Sequence, residues 1–182
     1  MDLFVSDGAV GIRLVDVPND LPSGKMPGVQ HDGIYFIWNE KRGYHQPEQI
    51  RHPDSKTSSL PPSSLFLAVT GAFLLCRKTD FQALKDFSED YVYGLEDIDF
   101  CLRMGRDLKK TCWCIHDMSL QHVEGATRRL GDRTERAERI EANHRIFKER
   151  WRGVYTGTAG WPDGRRYGSA FARCQSSGRS QA

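Results

Sequence analysis

Apolar positions fall into short blocks separated by long polar stretches, and the blocks change period along the chain. Residues 9–15 (A-V-G-I-R-L-V) follow an Asp7-Gly8 turn and predict a short strand. Residues 33–38 (G-I-Y-F-I-W) predict a second, β-branched and aromatic. Residues 65–76 (L-F-L-A-V-T-G-A-F-L-L-C) predict a buried strand or strand pair with Thr70-Gly71-Ala72 in the middle, where a glycine marks a bulge or a close approach by a ligand. Residues 111–115 predict a strand, followed by a turn and Leu120-Gln121-His122. Helical spacing takes over at 79–84, with Thr79 or Asp80 as cap, and from Leu95 to about residue 105, where Leu95, Ile98, Cys101 and Leu102 share a face. The clearest helix is 131–152, with Ala137, Ile140, His144, Phe147 and Trp151 at alternating spacings of 3 and 4. Glu135–Arg139 and Glu141–Arg145 supply i,i+4 pairs along it, and Gly153 stops it.

Residues 16–33 and 39–64 are rich in Pro, Gly, Asn, Asp and Ser and predict poorly fixed loops. His31 falls in the first of them, either near a pocket or in a plain loop role. The expected architecture is one α/β domain over residues 1–155, with a loose Gly-, Ser- and Arg-rich tail over 156–182. Its sheet is mixed, with the 70–76 and 111–115 strands central. The 95–105 helix packs on the sheet and the 131–152 helix covers an edge or face.

Composition narrows the function classes. A length of 182 residues suits one domain or part of one. A net charge of +2 gives no argument for nucleic acid. The first residues lack the basic segment of a signal peptide, and the 65–76 run is far short of the ~20 apolar residues that span a bilayer. Five cysteines without secretory features point to reduced thiols in the cytoplasm.

Candidate chemistry concentrates at 87–103 (F-S-E-D-Y-V-Y-G-L-E-D-I-D-F-C-L-R), where carboxylates alternate with aromatic and apolar residues. Glu96, Asp97 and Asp99 fall in the first turn of the predicted helix, where the dipole favours acids. Asp97 fits a general base, with Glu96 raising its proton affinity by like-charge repulsion. On residue types alone, simple helix capping is the more common role for such a pair. Asp97-Ile98-Asp99 is the only D-x-D, but i and i+2 side chains diverge on a helix, which argues against a chelating pair. His122, at a strand end, fits either a metal ligand or an ordinary loop histidine. Cys112, Cys114 and His116 do not have usual zinc spacing; alternate cysteines on a strand form one packed face. Arg128-Arg129, Arg133, Arg136 and Arg139 form a basic flank that reads as a solvated helix face or, at Arg128-Arg129, a contact for a phosphate-rich ligand.

The order of these segments carries more than any one of them. V-T-G-A-F-L-L-C-R, then F-S-E-D-Y, E-D-I-D-F-C-L-R, a strand ending in Q-H, and Asn143, Phe147 and Trp151 as N-x-x-x-F-x-x-x-W resemble the C-terminal half of family 2 glycosyltransferases with a GT-A fold, rhamnosyltransferase-like members above all. V-Q-H-D-G-I at 29–34 matches a further segment, so the resemblance runs from about Gly11 to Trp151. It implies Asp97 as catalytic base with Glu96 beside it, substrate contacts at Thr70, Gly71, Ala72, Asp99 and Arg128, and His122 as a ligand to a divalent metal, Mn²⁺ or Mg²⁺. The implied reaction is inverting transfer of a sugar from a nucleotide-sugar to a hydroxyl on a carbohydrate or lipid-linked acceptor, in the cytoplasm or at the cytoplasmic membrane face. Lys85-Asp86 and Ser88 depart from the family's Gly-Gly and Asp, which bears on the local loop shape. The family's nucleotide-binding βαβ units and strand-end D-x-D have no counterpart before Gly11. The chain therefore resembles an acceptor-side half, inactive or incomplete without a donor-binding half. A different class of reading is a non-catalytic remnant acting as an interaction module, self-associating or paired in a split enzyme.

Overall fold

The computed structural model describes residues 7–18, 21, 26–53, 60–92, 94–123 and 133–151. The strands are β1 (Asp7–Asp16), β2 (Val29–His31), β3 (Ile34–Asn39), β4 (Tyr44–Gln49), β5 (Ser63–Phe66), β6 (Leu75–Cys76) and β7 (Thr111–His122). The helices are α1 (Lys78–Ala83), α2 (Glu96–Asp107) and α3 (Arg133–Arg150). The fold is mixed α/β. One sheet runs β2-β1-β7-β5, with β6 also paired to β1, and β3-β4 form a separate hairpin. Only β1 and β7 are parallel; β2, β5 and β6 join antiparallel.

β1 and β7 are central because both of their edges are paired along much of their length. β1 is buried on both faces from Ala9 to Ile12, as expected for a covered parallel pair. The expected central strand at 70–76 is not there: residues 70–74 turn, and only Leu75 and Cys76 pair, with Val10 and Ala9. The two predicted pieces of β7 are one strand. Between Ile115 and Ser119 its register against β1 slips, and His116 and Asp117 turn their N–H groups to the Pro62 carbonyl. Such a bulge re-aims side chains locally.

Both predicted loops contain strands. β2 lies in the first and β4 in the second, with Pro47 opposite Phe36 in the hairpin. Pro47 is tolerated because β4 is an edge. His31 is no loop residue: it is a fully buried member of β2. α1 begins at Lys78, and neither Thr79 nor Asp80 caps it; Asp80 is instead buried against Lys110 at 2.5 Å. The buried face of α3 is Asn143, Phe147 and Trp151, while residues 134–141, with Ala137 and Ile140, are exposed. Glu135 does pair with Arg139, but Glu141 reaches Arg42 of the hairpin turn rather than Arg145.

The core lies between α2, the sheet and α3: Phe100, Cys101, Leu102 and Met104 meet Val69, Ala9, Cys112, Phe147 and Trp151. α2 runs antiparallel to β1. Met104 lies over Gly8, Cys101 donates to the Val69 carbonyl beside Gly11, and Asp97 reaches Gly71. The start of α2 therefore faces the C-terminal ends of β1 and β7, the end of a parallel pair where α/β folds bind ligands. No helix among the described residues is long and apolar enough to cross a membrane. The 156–182 tail lies outside the described residues.

A second buried cluster surrounds Asp32. Arg13 Nε donates to its Oδ1 at 2.7 Å, His116 Nδ1 lies 2.9 Å from the same oxygen, and His52 Nε2 lies 3.4 Å from Oδ2. Burial pushes the Asp32 carboxyl up, but His116, His52 and Arg13 outweigh it and hold it well below the usual range. His31, with neither ring nitrogen hydrogen-bonded, is pushed down to about 3 by burial, against the opposing charge of Asp32. His31 then takes up its proton in the unfolded chain below its ordinary 6.5 but in the native chain only near 3. Stability falls as pH drops through that window, by up to ~1.4 kcal/mol per pH unit from this group. Urea unfolding from pH 7 to pH 4 should show the decline, and His31→Leu should flatten it; equal slopes in both would contradict this assignment.

Candidate active site

The site is built at the head of α2. The chain enters it through a left-handed turn, with Gly94 at φ 118° and Leu95 at φ 75°. Glycine carries the first without strain; Leu95, as N-cap, offers no side-chain hydrogen bond. The acids that follow supply the missing acceptors. Glu96 Oε2 accepts from the Gly94 N–H at 2.6 Å, and Asp97 Oδ1 accepts from the Ile98 N–H at 2.8 Å. Glu96 thus holds its own helix entry.

Asp97 Oδ2 accepts from the Gly71 N–H at 2.6 Å. A Cβ on Gly71 would stand 2.9 Å from Asp97 Cβ, so the approach depends on glycine at that position. Gly71 and Ala72 are exposed, and Thr70 is buried with its Oγ1 accepting weakly from the Ala72 N–H at 3.4 Å. Asp97 keeps part of its surface while the carboxyl group is drawn inward. Burial raises its proton affinity; the Gly71 N–H opposes this and the Glu96 charge adds to it. Backbone N–H groups of Gly71, Ile98 and Asp97 itself bond the carboxylate, which with about four lone-pair sites can still receive one further proton.

Asp99 does not face this opening. It is fully buried, its Oδ1 accepting from Tyr91 Oη at 3.1 Å, Trp151 Nε1 at 2.9 Å and Arg150 Nη1 at 3.2 Å, and its Oδ2 from Arg103 Nε at 2.7 Å. The expectation of a substrate contact gives way to a structural one, because all of these donors come from the protein. Arg128 lies outside the described residues.

His122 ends β7, opposite Asp16 of β1. Its Nδ1 lies 2.9 Å from Gln30 Oε1. Gln30 donates from Nε2 to Asp16 Oδ1 at 2.8 Å and to the His122 carbonyl at 3.0 Å, so its Oε1 is an acceptor and His122 Nδ1 carries the proton. That leaves Nε2 as the lone-pair nitrogen, the arrangement a histidine ligand needs. Among the described residues, however, no three of His, Cys, Asp or Glu gather as metal ligands. The residues described here do not by themselves make a divalent-metal site. Cys112 and Cys114 are buried on β7, and burial pushes the Cys114 thiol up.

The structure thus joins Asp97 with Gly71 and sets Glu96 beside them. His122 stands at the same end of the parallel pair, in a separate network, with no contact to Asp97. Two contributors were read only as parts of motifs, with no role given to either. Gln30, within V-Q-H-D-G-I, orients His122; Asn143, within N-x-x-x-F-x-x-x-W, bonds to the backbone of Val92 and Gly94 just before the site. Comparison with protein-family models, with curated proteins and with solved structures finds no match for this chain.

Removing the Asp99 carboxylate leaves Arg103, Tyr91 and Trp151 without their shared acceptor. Asp99→Ala should therefore destabilise the fold by about 3–5 kcal/mol, the cost of breaking a buried charged pair. Denaturant unfolding measures this, and a loss below about 1 kcal/mol would contradict the hub assignment.

Proposed function

We propose that this chain is the acceptor-side half of an inverting glycosyltransferase of GT-A type, similar to family 2 rhamnosyl- and hexosyltransferases, with Asp97 as general base. The observation that carries the reading is the Asp97 carboxylate: at the head of α2, tied to the exposed Gly71 amide, and with its proton affinity raised by burial. A carboxylate of this kind takes a proton from an alcohol more readily than a solvated one. The acceptor hydroxyl gives its proton to Asp97, and its oxygen attacks the anomeric carbon as the bond to the nucleoside diphosphate breaks on the opposite face. The Gly71–Ala72 turn lines the approach of the acceptor in this reading, and Glu96 holds the turn that presents the base. Mn²⁺ or Mg²⁺ would neutralise the leaving diphosphate. Among the described residues, His122 would be a ligand to it through Nε2.

In this reading the nucleotide-sugar is bound by a separate donor-binding half. Isothermal titration of this chain with UDP-, GDP- and dTDP-sugars in Mn²⁺ should show little binding; micromolar affinity would overturn the half-site reading. Joined to a donor-binding half, Asp97→Asn should lower transfer by ~10²–10⁴-fold, the usual worth of a general base, with thermal unfolding close to the parent's. Near-normal transfer would remove Asp97 from the mechanism.

The second reading, a non-catalytic interaction module, draws on exposed apolar side chains at the far end of β7, Met118 and Leu120, and at Ile37 and Trp38 of the hairpin. Self-association by size-exclusion chromatography favours it, and a monodisperse monomer counts against it.

A further inference from the structure

We propose that Asn143 of α3 is a positioning residue: by clamping the backbone of Val92 and Gly94 it sets the turn that presses Asp97 against Gly71. The inference rests on the reading of Asp97 as the reactive carboxylate. Asn143 is buried on the one helix that lies beyond both the sheet and α2 in sequence. Its Oδ1 accepts from the Val92 N–H at 3.0 Å, and its Nδ2 donates to the carbonyls of Val92 at 3.3 Å and Gly94 at 2.9 Å. One amide therefore satisfies three backbone groups of a segment that pairs with no strand. The Gly94 N–H goes on to Glu96 Oε2, the left-handed Leu95 follows, and Asp97 then meets Gly71. The links run from Asn143 to Gly94, from Gly94 to Glu96, and from Asp97, next to Glu96, to Gly71.

Geometry makes the side chain hard to replace. The planar amide offers an acceptor and two donors at fixed angles, matching an N–H and two carbonyls that point the same way. Among the described residues, Asn143 Nδ2 is what holds the carbonyls of Val92 and Gly94. The left-handed Leu95 is a costly conformation that persists only where its surroundings over-determine it. Once released, the turn relaxes, the head of α2 swings away, and the Gly71 amide loses its acceptor. Asp99 anchors the same helix a half-turn later through Trp151 and Arg150, so α2 itself should survive the change.

The test is amide exchange at Gly71 together with the carboxyl titration of Asp97, both by NMR on the full chain. In Asn143→Ala, exchange at Gly71 should accelerate about tenfold or more, and the Asp97 midpoint should fall toward the ordinary range as the group becomes solvated. Phe147→Leu, which weakens α3 where its ring packs on Tyr44 and Trp151, should lower stability and leave both readouts in place. Unchanged readouts in Asn143→Ala, or equal changes in Phe147→Leu, would overturn the proposal. Should Asn143→Ala not fold, Asn143→Ser, too short to reach both carbonyls, is read in the same way. These measurements need no sugar, so a failed transfer assay would count against the proposed function alone, and unmoved NMR readouts against the role of Asn143 alone.

Discussion

The Asp99 carboxylate is the constraint on which the rest of this half of the molecule depends. An acid taken wholly out of water has to find donors within the protein, and this one takes them from the 88–91 loop, α2 and α3. Its partners reach further. Arg103 also holds the carbonyls of Leu84 and Asp86, where the chain turns through two left-handed residues after α1. Arg150 also holds Ser88 and Asp90 and lies over the Tyr91 ring. Breaking the centre frees the 84–91 loop and the end of α3 from α2. Asp99 is thus the framework for the carboxylate two positions earlier.

The two carboxylates on one helix show how burial with different partners separates roles. Asp99 is surrounded by cationic and hydroxyl donors and has no opening to solvent. At Asp97 burial, helped by the charge of Glu96, outweighs the backbone N–H donors, so its proton affinity rises. A third acid, Asp32, is buried with Arg13 and two histidines at the bulge in β7 and is driven the other way. Burial decides the direction at Asp97, and the histidine and arginine donors decide it at Asp32.

Much of this was legible in the residues. Periodicity found β1, β3, α2 and the span of α3, and the mixed sheet followed from them. Glu96 and Asp97 at a helix head with Gly71 as a point of close approach were readable, because a first-turn acid and an interrupted apolar run each have a local cause. What escaped has a tertiary cause. β2 and β4 carry Gln30, His31, Pro47 and other residues of low strand preference, and only pairing to β1 and β3 makes them strands. His31 reads as a loop residue until Asp32 and the sheet enclose it. The buried face of α3 was drawn through Ala137 and Ile140 on apolarity, whereas the structure buries polar Asn143, whose value lies in three backbone groups some fifty residues away. Asp99 was drawn to the site by its neighbours in sequence; its direction around the helix takes it into the core.

Whether Asp97 can serve as a base depends on the state of its carboxyl group. Carbon-13 NMR of the Asp97 carboxyl in the unaltered protein, followed from pH 2 to pH 8, reads that state directly. A midpoint clearly above the ordinary aspartate value of 3.8 is the expected result. A midpoint at or below it would mean that the Gly71 and Ile98 amides outweigh burial, leaving a capped helix end in place of a base.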